Sequence, residues 1–192
     1  MSRIGQCFKA LKADNKKALV IYLTAGDPDF ENSVEAAKAA IEGGADILEV
    51  GVPFSDPVAD GPVIQEAMGR ALAAGGGLSQ SLELVRRVRE MSDLPVVLFG
   101  YFNPLLHWGF ETTLEKVSDV GVDGLLVVDL PPEEAGPYRE QAAAKGLDWV
   151  SLAAPTSGPE RVASIAENAT GFLYLVSMTG VTGGDLQDTS AV

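Results

Sequence analysis

The chain has 192 residues, 46% hydrophobic and 21% charged, with a formal net charge of −13 at pH 7. That is enough for one substantial core and short for two, and the acidic balance argues against nucleic acid or an anionic membrane as partner. One cysteine, Cys7, and one histidine, His107, leave no disulfide framework and no zinc site of His and Cys ligands.

No apolar run reaches the length of a membrane span, and the N-terminal residues lack the apolar core of a signal peptide. A reducing cytoplasm is the expected location. Short apolar runs alternate with helical patterns along the chain. Residues 18–23, 47–50, 95–99, 124–128, 149–152 and 172–176 are rich in Val, Leu and Ile at consecutive positions. This is the pattern of strands covered on both faces of a parallel sheet. The first strand runs into Thr24-Ala-Gly-Asp27-Pro, and a helix follows with Val34, Ala37 and Ile41 on one face. The second holds Glu49 and leads to a loop containing Asp56 and Asp60. Gly75-Gly-Gly77 then reads as a joint between helical segments. The helix after it places Leu78, Leu82 and Val85 on one face and turns Arg86, Arg87 and Arg89 outward. The third strand ends at Tyr101-Phe-Asn103-Pro and the fourth at Asp129-Leu-Pro-Pro. Ser157-Gly-Pro-Glu160 has capping-box spacing ahead of Val162, Ile165 and Ala166. The sixth strand ends at Ser177-Met-Thr-Gly-Val-Thr-Gly-Gly184.

A weak repeat runs through this order. Gly44-Ala-Asp, Gly121-Val-Asp and Gly146-Leu-Asp each end a helical pattern and open a strand. Repeated βα units without a linker predict one α/β domain spanning residues 1–192. Six strands fit an open doubly wound sheet or most of an eight-stranded barrel. The first strand lacks a Gly-x-Gly-x-x-Gly turn after it, which weakens the dinucleotide-binding version.

The candidate polar residues lie at the carboxyl ends of strands, the face where parallel α/β folds bind ligands. By the two-residue period, Glu49 shares a face with Ile47 and Gly51, while Leu48 and Val50 point the other way. An inward carboxylate at the floor of a pocket gains proton affinity and can exchange protons near neutral pH. Other readings stay open at this point. Glu49 can be a structural carboxylate paired with a lysine, Asp60 an N-cap ahead of Gly-Pro, and Asp129 a turn-former. Tyr174 can be core, and His107 is read as structural. Residues 179–184 can expose N–H groups to a phosphate or form no more than a loop.

The run Leu48-Glu-Val-Gly-Val-Pro-Phe-Ser-Asp-Pro-Val-Ala-Asp-Gly61 resembles the signature of the tryptophan synthase α subunit family. Thr24-Ala-Gly-Asp-Pro, Tyr101-Phe-Asn-Pro, Val127-Val-Asp-Leu-Pro and Ser177-Met-Thr-Gly-Val-Thr-Gly resemble further segments of that family, in the same order. The resemblance implies an eight-stranded βα (TIM) barrel that cleaves indole-3-glycerol phosphate to indole and glyceraldehyde 3-phosphate by a retro-aldol reaction. It makes Glu49 the proton-transferring carboxylate and Asp60 the carboxylate that accepts the indole N–H and stabilises charge on the ring. Tyr174 matches an active-site tyrosine. Tyr22, Ile64, Phe99 and Leu126 match indole-pocket positions, and Tyr101 is placed with the substrate-binding residues. Thr182 matches a loop threonine that positions the catalytic loop, and Gly183, with Gly184 beside it, matches the phosphate contacts. Pro53, Phe54, Ser55 and Asp56 resemble the loop that faces a β subunit.

On the same resemblance, this chain carries no cofactor and no metal. Pyridoxal phosphate belongs to the β subunit, and an αββα heterotetramer is expected. The family pattern continues for two more βα units beyond Val192, so six of eight units are expected, with open edges on strands one and six. A second reading is therefore a weak or catalytically silent α-type chain that binds a β-subunit partner. Another phosphate-sugar barrel, such as an isomerase, lacks this second-strand signature.

Overall fold

The computed structural model describes residues 1–176. Fourteen elements follow in order: α1 (Arg3–Ala13), β1 (Val20–Thr24), α2 (Phe30–Glu42), β2 (Ile47–Gly51), α3 (Pro62–Ala73), α4 (Leu78–Met91) and β3 (Val96–Gly100). Then come α5 (Phe102–Leu105), α6 (Phe110–Asp119), β4 (Gly124–Val127), α7 (Gly136–Ala144), β5 (Asp148–Ala153), α8 (Pro159–Asn168) and β6 (Leu173–Leu175). All six strands expected from the sequence form, each within two residues of its expected ends.

The strands pair in parallel in chain order, β1 through β6. A doubly wound sheet reverses its strand order at a switch point, and this sheet does not. Its two faces are also different. Leu48, Val50, Val96, Leu98, Leu125 and Trp149 pack outward against the helices. Ile47, Val97, Leu126 and Val150 pack on the other face around Ile4 of α1. The same helix sends Phe8 to Phe172, next to β6, with ring centroids 5.7 Å apart. One short helix reaching both β2 and the far edge from the same side requires the sheet to wrap around it. This is the wall of a (β/α) barrel, with α1 plugging the floor.

The Gly-x-Asp repeat has a physical role. At Gly44 and Gly121 the φ angles are +92° and +89°, the left-handed turn that stops a helix and that a Cβ disfavours. The aspartates then pin strand starts together. Asp46 Oδ2 accepts from Leu19 N at 2.8 Å, and Asp123 Oδ2 accepts from Val96 N at 2.8 Å. Asp148 departs from the pattern, since its buried Oδ2 has no partner among the described residues.

Two local expectations fail here. Arg89 does not face outward with Arg86 and Arg87. It turns under the sheet and donates to Asp123 Oδ2 at 2.6 Å, to Gly121 O at 2.7 Å and to Leu94 O at 2.6 Å. Burial lowers its pKa, which the Asp123 charge partly restores. The capping box at Ser157 does not form either. Gly158 is the N-cap of α8 with no side-chain cap, and Ser157 Oγ accepts from Ala154 N instead.

Asp123 is thus a nearly buried carboxylate holding two cations, Arg89 at 2.6 Å and the half-exposed Arg3 at 3.0 Å. Removing it strands Arg89 without a counter-charge below the sheet. Asp123→Ala is expected to cost about 3 kcal/mol or more. Arg3→Ala should cost about 1 kcal/mol or less, because water screens that pair. Urea unfolding midpoints of the two variants measure the contrast.

Candidate active site

The upper end of the concave face gathers the polar residues. Glu49 sits mid-β2, paired in register with Tyr22 on β1 and Val97 on β3. Its inward direction follows from the strand period, because Ile47 belongs to the inner cluster and Leu48 and Val50 to the outer one. It is 4% exposed, and its Oε1 has no hydrogen-bond partner among the described residues. Burial pushes its pKa from the ordinary carboxylate range to about 7. The lysine-paired reading of Glu49 finds no support: desolvation is the cause of its shift, and the described residues place no salt-bridge partner on it.

Asp60 is also buried but is handled differently. Tyr101 Oη donates to its Oδ2 at 2.6 Å. The same hydroxyl accepts from Ala59 N at 2.9 Å, so a single group fixes both the carboxylate and the backbone beside it. Burial raises the Asp60 pKa, and the Tyr101 hydrogen bond opposes that rise. The cap reading does not hold: Gly61 is the N-cap of α3, Pro62 starts the helix, and no side chain caps it. Asp60 Oδ2 instead receives the Tyr101 hydroxyl, at the top of β3.

Tyr101 was expected among the substrate-binding residues. In the structure it is 1% exposed, packs on Phe54 with centroids 5.1 Å apart, and acts on Asp60. A signal for this existed, since Phe99 faces inward and the two-residue period carries Tyr101 to the same side. Its partner in the loop after β2 had no local signal.

Tyr22 and Phe99 meet edge to face, with centroids 5.3 Å apart and an interplanar angle of 77°. Tyr22 Oη lies 3.2 Å from Thr24 Oγ1, and burial pushes its pKa up to about 12. Ile64, half-buried on α3, shares with Tyr22, Thr24, Asp27 and Arg70 a cleft of about 290 Å³ beside β1. Arg70 clasps Asp27 with two bonds of 2.7 and 2.9 Å, tying α3 to the loop after β1. Sequence reading gave this pair no role. Leu126 is fully buried in the inner cluster. Tyr174 sits on β6, 37% exposed, with its pKa raised by burial and then by the charge of Glu49. Tyr174 is in register with Leu152, which packs on the inner cluster, so it faces the interior as Glu49 does.

In the loop after β2, Ser55 and Asp56 are exposed and bonded to each other, Phe54 turns to Tyr101, and Pro53 is buried. Asp129 accepts from Phe102 N at 2.7 Å, linking the loops after β3 and β4. Thr182, Gly183 and Gly184 lie outside the described residues. Among the described residues no group of three or more His, Cys, Asp or Glu side chains is placed to hold a metal ion. None of their helices is long and apolar enough to cross a membrane.

Two inward carboxylates therefore sit in one concave mouth, one without a partner among the described residues and with its pKa raised to about 7, the other held by a hydroxyl. That division suits proton transfer by the first and charge stabilisation by the second. A sequence profile for the family "Tryptophan synthase alpha chain" matches residues 8–192. A curated tryptophan synthase alpha chain from Desulfatibacillum aliphaticivorans is 52% identical over 192 residues, covering 100% of this chain and 72% of the relative. A crystal structure of tryptophan synthase subunit alpha from Legionella pneumophila superimposes with a TM-score of 0.88 at 43% identity, covering 92% of this chain and 68% of that one. A Mycobacterium tuberculosis tryptophan synthase structure gives 0.90 at 39% identity, covering 97% and 72%.

Tyr101→Phe removes the hydroxyl while keeping the ring. Asp60 then loses the bond that opposes its raised proton affinity, so its pKa should rise further. Stability should fall by about 1–3 kcal/mol, because Ala59 N and Asp60 Oδ2 lose a buried partner. Carboxyl ¹³C titration and urea unfolding read the two effects; an unmoved Asp60 titration contradicts the assigned contact.

Proposed function

The chain belongs to the tryptophan synthase alpha chain family, and on that premise we propose that Glu49 and Asp60 carry its retro-aldol cleavage of indole-3-glycerol phosphate. The observation that supports this most directly is the contrast between the two carboxylates. Glu49 is buried and without a partner among the described residues, with a pKa of about 7, and so can both give and take a proton at working pH. In the reaction the ring carbon gains a proton, and the glycerol hydroxyl beside the breaking bond loses one. As the carbon–carbon bond breaks, its electron pair returns to the ring, and the hydroxyl carbon becomes the aldehyde. Glu49 serves the proton movements. Asp60, oriented by Tyr101, accepts the indole N–H and balances positive charge while the ring is protonated.

The rest of the assignment rests on the family resemblance and on position. Tyr22, Phe99, Ile64 and Leu126 wall the indole side of the mouth, and Tyr174 faces Glu49 from β6. Gly183 and Gly184 supply backbone N–H groups to the phosphate, with Thr182 positioning their loop. The chain works as one barrel domain in the cytoplasm, with a β subunit as partner in an αββα assembly. Ser55 and Asp56, exposed after β2, suit that contact. The β subunit, not this chain, holds pyridoxal phosphate and uses the indole.

Glu49→Gln tests the reading. Glutamine keeps the shape but cannot exchange the proton, so indole formation should fall about 10²–10⁴-fold, with and without a β subunit, while the fold persists. Near-normal turnover by the folded variant would remove Glu49 from the mechanism. Asp60→Asn should fall severely in turnover with little loss of stability, because asparagine still accepts from Tyr101 but carries no charge. Full activity there would leave Asp60 only a structural role.

A further inference from the structure

Gly51 and Tyr22 are fitted to one another more closely than wall residues need to be. A Cβ placed on Gly51 would lie 2.6 Å from Tyr22 Cζ and 2.8 Å from Cε2, closer than side-chain carbons approach. Gly51 is not among the residues with positive φ, so its backbone would accept any side chain. Contact with the ring is what demands glycine there.

The register shows what the contact covers. Tyr22 leaves β1 level with Glu49, and Gly51 is the next inward position on Glu49's own strand. The Tyr22 ring therefore starts beside Glu49 and ends one step above it. Phe99 flanks Gly51 on β3 and meets the Tyr22 ring edge to face. Thr24 holds the phenol end at 3.2 Å. The two rings meet beside Gly51, one inward step above Glu49.

We propose that Gly51 and Tyr22 are positioning residues for Glu49: bare backbone at 51 seats the Tyr22 ring, and the ring, with Phe99, keeps water from the carboxyl whose proton moves. The proposal rests on the reading of Glu49 as the proton-transferring group. Among the described residues, the other titratable groups facing this interior do not replace the effect. Tyr22 on β1 and Tyr174 on β6 are neutral, with pKa values pushed upward. Asp60 is bound by Tyr101, and the inward residues Val97, Phe99, Leu126 and Val128 of and beside β3 and β4 are apolar. Asp148 lies on the same face, on β5. α1 presents Ile4, Cys7 and Phe8 and commits Arg3 to Asp123. Desolvation is the cause of the raised proton affinity of Glu49, so what excludes water sets it.

The test is the titration of Glu49 itself in the full chain, by ¹³C NMR of labelled glutamate carboxyls, with Glu49→Gln identifying the signal. Gly51→Ala pushes the ring off its seat, and Tyr22→Ala removes it. Each should lower the midpoint by about one pH unit or more. Tyr22→Phe keeps the ring and should leave the midpoint in place, which separates shielding from the hydroxyl. The limb of the kcat/KM profile that reports Glu49 should move to lower pH with it. Should Gly51→Ala fail to fold, Tyr22→Ala, which adds no atoms, decides the matter. A folded Tyr22→Ala protein that titrates as wild type overturns the proposal. Normal turnover by Glu49→Gln would instead remove the role of Glu49, while the ring's effect on its titration would still be read directly.

Discussion

Alternate residues of a strand must face opposite sides, and at Glu49 that constraint places an ionisable group inside a barrel wall. The residues around it are arranged as consequences. Ile47 below it belongs to a packed floor, Gly51 above it leaves room for a ring, and Tyr22 beside it supplies that ring. Burying the charge has a thermodynamic sign. The folded pKa of about 7 lies above the value expected in an unfolded chain, so the folded protein binds the proton more tightly. Stability from this group is fully present below about pH 4.5, falls as pH rises, and is lost above about 7. The cost at higher pH is on the order of 3 kcal/mol. A chain kept only for binding a partner gains nothing from that cost, which favours the catalytic reading over the silent one.

Asp60 shows the opposite solution to the same problem. It is almost as buried as Glu49, yet a short hydrogen bond from Tyr101 favours its charged form. The bond costs the protein little, because the hydroxyl that makes it also satisfies Ala59 N. Two carboxylates on one surface thus differ in that a phenol holds one of them. The Asp27–Arg70 clasp sets α3, which begins just after Asp60, against the loop after β1.

The strands were legible because consecutive Val, Leu and Ile mark segments covered on both sides, and Glu49 was legible because it broke that rule. Helix stops were legible at Gly44 and Gly121, where the backbone needs positive φ. What sequence reading missed shares a different cause. Arg89 was assigned outward because charge predicts exposure, but Asp123, 34 residues away, draws it under the sheet. A cap was one open reading of Asp60 because Gly-Pro follows it, but the contact from Tyr101, 41 residues away, had no local signal. Gly51 reads as an ordinary strand end until the β1–β2 register brings Tyr22 over it. Local patterns specify elements; contacts between strands specify which polar atoms meet.

The two ends of the barrel wall divide the work. At the floor, Asp123 holds both Arg89 and Arg3, and α1 closes the apolar interior. Asp123 has no proton to pass on, so it can be fully paired. At the mouth, complete pairing would defeat the chemistry, because a Glu49 locked to a cation would stay ionised and could not pass a proton on. Among the described residues, the fold leaves this one carboxylate unpaired beside side chains that carry no charge. Shielding by Tyr22 and Phe99 favours the neutral carboxyl and makes its ionisation above about pH 7 costly. Catalytic competence and stability at this site are then set by the same pair of rings, and Gly51 is the position that lets them meet.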